Sequence, residues 1–314
     1  MCCTSGWPID VDDAGRARVE LAVACGDLAA NRPPFVRTAD GPAVLTIVDG
    51  ACVFHRDRPH ARCEIHRVLG HAALPLACRQ FPRISVHDPR GTSITLSHYC
   101  PTAASLLDDD GPIAIVDDAP AFPRDGEYVG LDARTSLPPR LRPDMLMDWQ
   151  SWWEWERLSV DAIARASTAS AALAHLHAAV EHARAWHPTD GPLIERVRMA
   201  FDRPTLASRS ERAVGVVRRE ILTAIPAEHR PANADETSTS LSDAAVRRYL
   251  AAQAFASWTA HLGQGLRTWL RAIEAAHVLV TRGLSVGDAD LWLRHLADPS
   301  VLADVWGEAE RVDG

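Results

Sequence analysis

Cysteine is the residue type whose positions in this chain call for a chemical explanation. All seven cysteines fall in the first third of the 314 residues. They are Cys2, Cys3, Cys25, Cys52, Cys63, Cys78 and Cys100. Thiolates held at fixed places in one small domain are the ligands that zinc and iron–sulfur clusters require. The pattern therefore predicts a metal centre in the N-terminal part of the chain.

Local signals place the cysteines at the ends of short elements. Apolar runs on either side of Asp49-Gly50 predict a β-hairpin, with Cys52 at the start of the returning strand. Cys63 precedes a short helix that Gly70 ends, and Cys78 lies on a single turn between two prolines. Each of these cysteines therefore has a defined local backbone.

A second hairpin leads to the last cysteine. Alternating apolar residues at 84–86 and 94–96 pair across an expected loop at 87–91. Cys100 then ends the strand and precedes Pro101, which marks the first residue of a helix.

Four of these cysteines suffice for one centre. Cys52, Cys63, Cys78 and Cys100 could supply all four ligands of a tetrahedral zinc ion or of one [4Fe–4S] cluster. They are separated by 10, 14 and 21 residues, so the fold must bring them together, and metal binding should be coupled to folding. The spacing leaves zinc and iron–sulfur both open.

Other residues near the cysteines have less specific roles. Cys25 lies in an expected helix over 12–31, where we predict a small buried hydrophobe rather than a ligand. Histidines in the same region could complete a coordination shell, although a surface or supporting role is the expectation for each of them. They are His55, His60, His66, His71, His87 and His98.

Composition excludes several classes of protein. A net charge of -8 and a pI near 5.9 argue against a surface that binds nucleic acid or anionic lipid. No apolar run reaches the roughly 18 residues of a membrane span. The first ten residues lack the features of a signal peptide, so we expect a cytoplasmic protein, where metal binding explains clustered cysteines better than disulfides do.

The expected fold class is α+β in two parts. A small cysteine-rich domain with two β-hairpins and short helices spans 1–107, an irregular linker spans 108–144, and an all-α domain spans 145–314. The tryptophan-rich segment at 148–155 is expected to pack into the core of the helical domain. Helices are further expected at 160–186, 190–201, 208–224, 242–281, 287–297 and 300–311.

Several short motifs carry a resemblance to a known family. They are the double cysteine at the start, GACVF, ARCEIH, LACRQFPR and LSHYCPTAA. In this order they resemble the YkgJ-type cysteine-cluster family, whose members are described as zinc- or iron-chelating. That family is similar in turn to the flagellin lysine N-methylases. The resemblance covers roughly residues 1–107.

The resemblance implies a ligand set, and two function classes stay open. The implied metal ligands are Cys2, Cys3, Cys52, Cys63, Cys78 and Cys100. One function is a Zn2+ or [4Fe–4S] protein that modifies a protein side chain, and S-adenosylmethionine would be a cofactor only in this case. The alternative is a non-catalytic structural or sensory metal protein whose helical domain binds a partner. Both imply a protein substrate or partner, and neither fixes the oligomeric state.

One departure from the family concerns the start of the chain. Family members carry a further Cys-x-x-Cys-Gly-type segment just upstream of the double cysteine, whereas here Met1 directly precedes it. We therefore expect the native protein to be longer, with an in-frame cysteine pair encoded upstream of Met1.

Overall fold

The computed structural model describes residues 2–30, 32–37, 43–56, 62–119, 128–202, 241–281 and 284–296. The chain divides into two compact units. The first comprises Met1–Ile84 with Pro123–Val129, and the second comprises Ser85–Phe122 with Gly130–Gly314. The first unit thus ends at Ile84, earlier than residue 107 in the prediction, and Cys100 belongs to the second unit. The described residues contain both helices and short strands, consistent with the α+β class.

Short elements make up the first unit. Its strands are β1 (Asp10–Val11), β2 (Phe35–Arg37), β3 (Ala43–Leu45), β4 (Ile47–Val48), β5 (Ala51–Cys52), β6 (His55–Arg56) and β7 (Arg62–Cys63). Its α-helices are α1 (Asp13–Ala24), α2 (Glu64–Leu69) and α3 (Leu76–Gln80), and 3₁₀ helices lie at Cys2–Thr4 and His71–Ala73. The strand β3 lies between β1 and β2, antiparallel to both. The pairs β4–β5 and β6–β7 are separate antiparallel ribbons.

The helix α1 is shorter than the sequence predicted. Asp12 caps its first turn by accepting a hydrogen bond from the backbone N–H of Gly15 (2.7 Å), and the helix ends at Ala24. Cys25 is therefore the C-terminal cap, and its side chain is exposed. The prediction that Cys25 is buried on this helix is wrong because the helix ends one residue before it.

A hairpin spans the boundary between Ile84 and Ser85, and most of its residues belong to the second unit. The strand β8 (Arg83–Asp88) is joined to β9 (Gly91–Leu96) by the two residues Pro89 and Arg90, a shorter loop than predicted. Residues 87 and 88 continue the strand, and the Asp88 carboxylate accepts from the backbone N–H of Arg90 (2.8 Å). The strand β10 (Gly130–Asp132) pairs with β8 in parallel and completes a three-stranded sheet. A small ribbon of β11 (Arg140–Arg142) and β12 (Met145–Leu146) follows.

Helices make up the rest of the second unit. They are α4 (Pro101–Ser105), α5 (Trp149–Arg165), α6 (Ala169–Arg184), α7 (Leu193–Asp202), α8 (Asp243–Ala254), α9 (Trp258–Leu262), α10 (Leu266–Thr281) and α11 (Val286–Leu296). None of the described helices is both long enough and apolar enough to cross a bilayer.

Caps explain where these helices depart from the prediction. The helix α5 begins at Trp149 because Asp148 accepts from the Ser151 N–H (2.8 Å), whereas Met145–Leu146 is a strand inside the predicted all-α region. The expected helix at 160–186 is two helices, since Thr168 caps the start of α6. In place of the one helix expected at 242–281, the structure has the three helices α8, α9 and α10. The helices predicted at 208–224 and 300–311 lie outside the described residues.

Tryptophan side chains fill the helical core, as predicted. Trp152, Trp155 and Trp269 have no exposed surface. The Trp155 and Trp269 rings meet edge to face with centroids 5.5 Å apart, and Trp149 stacks on Trp153 at 6.2 Å. Burying aromatic rings of this size contributes several kcal/mol each by the usual area relation of about 25 cal/mol per Å2.

A buried carboxylate attaches the hairpin turn to the helices. Glu156 of α5 is 1 % exposed, and its Oε2 accepts from the Arg90 guanidinium at 2.7 Å. Its Oε1 accepts from the backbone N–H of Ala256 at 2.8 Å, where the chain turns between α8 and α9. Arg90 also pairs with Asp88, which accepts from the Trp153 indole N–H (3.1 Å). Burial raises the pKa of Glu156 above its ordinary value, against the opposing effect of Arg90.

A histidine lies beside this network. The His261 ring contacts Trp149 and Trp152, with centroids 6.1 and 5.9 Å away. Burial lowers the pKa of His261 to about 4, although the charge of Asp88 acts in the opposite direction. His261 is therefore neutral in the folded protein at pH 7.

We expect Glu156→Ala to lower the free energy of unfolding by roughly 2–3 kcal/mol, because it leaves a partly buried guanidinium and a buried N–H without their acceptor. Arg90 keeps Asp88 as a partner, so the loss stays below that of a fully buried pair. Urea denaturation followed by circular dichroism measures the change. The control is Asp161→Ala, which removes an exposed carboxylate paired with Arg157 and should cost less than about 1 kcal/mol. Equal losses in the two variants would contradict this account of Glu156.

We expect His261 to make stability depend on pH between about 6.5 and 4. In that range the unfolded chain binds a proton that the folded protein does not, so the free energy of unfolding falls as the pH falls. From pH 7 to pH 5 the contribution of His261 is about 2 kcal/mol. The wild type should lose more stability over this range than His261→Gln, by about that amount, in urea denaturation at both pH values. Parallel losses would show that His261 does not titrate in this way.

Candidate metal centre

Two cysteines of the first unit lie on neighbouring backbone segments. Cys3 belongs to the 3₁₀ helix Cys2–Thr4, and the strand β5, which ends at Cys52, lies against that helix. Asp49 and Gly50 both have positive φ, 51° and 76°, as the predicted tight turn requires, and Cys52 pairs with Ile47 across it. The predicted hairpin is thus confirmed, and it fixes the position of Cys52.

Cys63 and Cys78 each lie on an element with its own support. Cys63 ends β7, where it is in register with His55, and it also forms the N-terminal cap of α2. The sequence did not indicate this ribbon or the pairing of Cys63 with His55. Cys78 lies within α3, a single short helix between prolines, as predicted.

These four cysteines share one apolar core, which we call the cysteine core. Cys52 is buried within it at 8 % exposure, and Cys3, Cys63 and Cys78 are partly buried and pack against it. Its other buried members are Val11, Val19, Ala22, Leu28, Leu45, Phe54, Ile65 and Ala73. Four separate chain segments therefore bring sulfur into the same small core.

The arrangement of possible ligands can be stated only for the side chains that the structure describes. Within the described part of the chain, no group of three or more cysteine, histidine, aspartate or glutamate side chains is arranged to hold a metal ion. The side chain of Cys2, a predicted ligand, lies outside the described residues. None of the six described cysteines is in a disulfide.

Cys100 lies in the second unit, where it caps α4 with Pro101 at the first helical position, as predicted. The three residues before it are buried, at 1 % exposure for Ser97, 4 % for His98 and 8 % for Tyr99. The motif LSHYCPTAA therefore contains a buried segment that leads into a partly exposed cysteine.

A second buried carboxylate holds this segment. Asp290 of α11 accepts from the Ser97 hydroxyl at 2.7 Å and from the backbone N–H of Tyr99 at 3.3 Å. Gln253 and Arg294 donate to the same carboxylate, each at 3.0 Å. Burial alone would raise the pKa of Asp290, but Arg294, His98 and the Ser97 hydroxyl together hold it below the ordinary value.

The histidine of this segment packs against a tyrosine. The His98 and Tyr249 rings meet edge to face with centroids 5.2 Å apart. Burial lowers the pKa of His98 to about 4 and raises the pKa of Tyr249. Neither His98 Nδ1 nor the Tyr249 hydroxyl has a hydrogen-bond partner among the described residues. His98 is thus a neutral packing residue of the second unit.

The other candidate histidines are dispersed among local contacts. His66 and His71 meet edge to face at 5.9 Å in the first unit. His87 of the second unit lies within hydrogen-bonding distance of Thr92 (3.0 Å) and Ser85 (3.3 Å). His60 lies outside the described residues.

The hydrogen bonds of Asp290 are the feature of this region that the sequence did not indicate. Asp290 and Ser97 are separated by 193 positions, and a pattern that reads neighbouring residues cannot join them. The only local signal is an aspartate at an apolar position of α11, where a charged side chain must find a partner to be buried.

Comparison of the chain with family models, with curated proteins and with solved structures finds no match. The resemblance to the YkgJ-type family therefore stays a prediction from the motifs.

Proposed function

We propose that this protein binds zinc or an iron–sulfur cluster through the cysteines of its first unit. The observation that carries the proposal is the cysteine core, in which Cys3, Cys52, Cys63 and Cys78 reach one apolar cluster from four separate elements. Packing alone does not require four thiols in a small domain, because alanine or valine would fill the same space without reactive sulfur.

The chemistry of this donor set fits a soft metal. Four thiolates are the common ligand set of structural zinc and of [4Fe–4S] clusters, and both need an environment that excludes water. Four thiolates also bring negative charge into an apolar region, which requires a nearby donor or cation. Arg79 follows Cys78 on α3, and its Nε is buried with no acceptor among the described residues. An anionic centre would give such a group an acceptor.

The fold gives each of these residues a defined task. The left-handed turn at Asp49-Gly50 directs β5, and with it Cys52, back towards the 3₁₀ helix that holds Cys3. The ribbon β6–β7 holds Cys63, and the apolar side chains Phe54 and Ile65 exclude water. A bound metal would supply either a cross-link between these segments or a redox couple.

Metal binding should stabilise the first unit. The four cysteines reach the shared core from separate short elements, so a bound metal would hold these elements together. The binding free energy is then coupled to the folding of this unit.

What this protein does with a bound metal stays a prediction. Protein modification of the lysine N-methylase type, with S-adenosylmethionine, rests on the resemblance alone. The cysteine core supports equally the alternative of a structural or sensory metal protein with a helical interaction domain. The predicted ligand roles of Cys2 and Cys100, the cytoplasmic location and the protein partner likewise remain predictions.

Anaerobic purification with metal analysis and a visible spectrum tests the proposal. A brown protein with broad visible absorption and stoichiometric iron and sulfide would identify an iron–sulfur cluster, and a colourless protein with about one equivalent of zinc would identify a zinc site. A full-length protein purified without oxygen that contains neither, and takes up neither on reconstitution, would refute metal binding.

Single cysteine variants locate the ligands. We expect Cys52→Ser, Cys63→Ser and Cys78→Ser each to lower retained metal by at least tenfold, because each removes one thiolate from the set. Cys25→Ser is the matched control, since Cys25 is exposed and lies outside the cysteine core, and its metal content should equal that of the wild type. Loss of metal in Cys25→Ser alone would show that the ligand assignment is wrong.

A further inference from the structure

Cys3 and Cys52 lie on two neighbouring elements of the first unit. Cys3 belongs to the 3₁₀ helix Cys2–Thr4, and Cys52 ends the strand β5. Cα atoms of these two elements approach within 8 Å of one another. A disulfide joins residues whose Cα atoms lie about 4.4–6.8 Å apart, so the two elements are already close to the separation that an S–S bond requires.

The backbone around Cys52 is attached to its surroundings by hydrogen bonds. The strand β5 pairs with β4, and the residue after Cys52, Val53, donates its backbone N–H to the Thr46 carbonyl at 3.0 Å. The Thr46 hydroxyl in turn donates to the Pro33 carbonyl at 2.7 Å. Cys52 therefore has a fixed position in the cysteine core.

A much shorter element carries Cys3. Its 3₁₀ helix is a single turn of three residues, and so short a helix can change conformation without breaking a long series of hydrogen bonds. The Cys3 side chain is half-buried, whereas Cys52 is 8 % exposed. Because exposed thiols are oxidised more readily than buried ones, an oxidant reaches Cys3 before it reaches Cys52.

The chemistry that joins these residues needs only two thiols and a hydroperoxide. The Cys3 thiolate attacks one peroxide oxygen, the O–O bond breaks, and a sulfenic acid forms while the other oxygen leaves as water or an alcohol. The Cys52 thiol then attacks the Cys3 sulfur, so that the S–S bond forms and the remaining oxygen leaves as water. The two sulfur atoms together supply the two electrons that reduce the peroxide, and a dithiol reductant reverses the reaction.

We propose that Cys3 and Cys52 are a redox pair, which a hydroperoxide joins in a disulfide and thereby switches the cysteine core from a metal-binding to an oxidised form. A sulfur in a disulfide is no longer a thiolate, so the bond removes two of the four sulfur ligands and releases the metal. The release of metal rests on the proposed function, whereas the disulfide itself does not. In a reducing compartment such a bond is transient, as it is in redox-sensing proteins.

Peptide mapping of the wild type tests the disulfide. The full-length protein is freed of metal, reduced without oxygen, treated with a small excess of hydrogen peroxide, blocked with iodoacetamide and digested with trypsin without reductant. Cleavage after arginine places Cys52, Cys63 and Cys78 in different peptides. We expect the main cross-linked product to join Cys3 to Cys52. A main product that contains Cys63 or Cys78, a product that uses Cys2 in place of Cys3, or the absence of any cross-link would overturn the inference.

Serine variants separate this pairing from general thiol reactivity. Cys3→Ser and Cys52→Ser should each abolish the cross-link. Cys25→Ser is the matched control, because Cys25 is exposed and lies outside the cysteine core, and its yield of cross-link should equal that of the wild type. An equal loss in Cys25→Ser would contradict the pairing. Circular dichroism of each reduced variant shows whether it is folded, and if neither core variant folds, the peptide map of the wild type decides.

Zinc release tests the switch. Hydrogen peroxide added to the zinc-loaded wild type should release zinc in step with formation of the bond between Cys3 and Cys52, as measured with a chromogenic chelator, and reduction with dithiothreitol should restore binding. A disulfide that forms while zinc stays bound would refute the switch. If the wild type binds no metal, the proposed function fails, and the peptide map still decides whether the pair forms. If the wild type binds zinc but the metal-free protein forms no such disulfide, the switch fails alone.

Discussion

The packing of the second unit depends on two buried carboxylates, those of Glu156 and Asp290. Both oxygen atoms of each carboxylate accept hydrogen bonds. Burying one carboxylate without partners is prohibitively expensive, so each must collect donors from the chain around it. Glu156 collects them at the turn of the β8–β9 hairpin, and Asp290 collects them just after β9 ends. The hairpin is thus attached to the helices near both of its ends. Two helices thus each present one acidic side chain to this short hairpin, most of whose residues are buried or half-buried.

The first unit uses a different principle. In its apolar core, thiol groups occupy positions that aliphatic groups would fill elsewhere. A cysteine serves both purposes, since its thiol packs as a small hydrophobe and its thiolate binds soft metals. This dual character is consistent with four cysteines that share one apolar core. Packing alone can hold the segments near one another, and ligation would then draw in the sulfurs.

The parts of the fold that sequence could predict are those that neighbouring residues determine. The turn at Asp49-Gly50, the helix ended by Gly70 and the proline-started helix after Cys100 all depend on a few adjacent residues, and each is present. Thr168 and Ser242 are also residue types that favour the N-cap position. The N-cap at Thr168 divides the stretch 160–186, which was predicted as one helix.

What sequence could not supply are contacts between distant segments. The two-residue hairpin turn depends on Asp88, which is buried only because Trp153 and Arg90 bind it. The register of His55 with Cys63 depends on a ribbon with strands of two residues, too short to show alternation. The sequence indicated cysteines as the candidate ligands, but how the described side chains are arranged depends on side-chain directions. No spacing rule encodes those directions when the ligands are more than ten residues apart.

The distribution of tryptophan gives the two units different spectroscopic signals. Nine of the ten tryptophans belong to the second unit, and Trp7 alone belongs to the first, where its ring centroid lies 6.4 Å from that of Phe81. Indole fluorescence therefore reports almost entirely on the helical unit, whereas thiolate-to-metal charge-transfer absorption would arise from the cysteines. Loss of one signal ahead of the other during denaturation would show directly whether the two units unfold together or in succession.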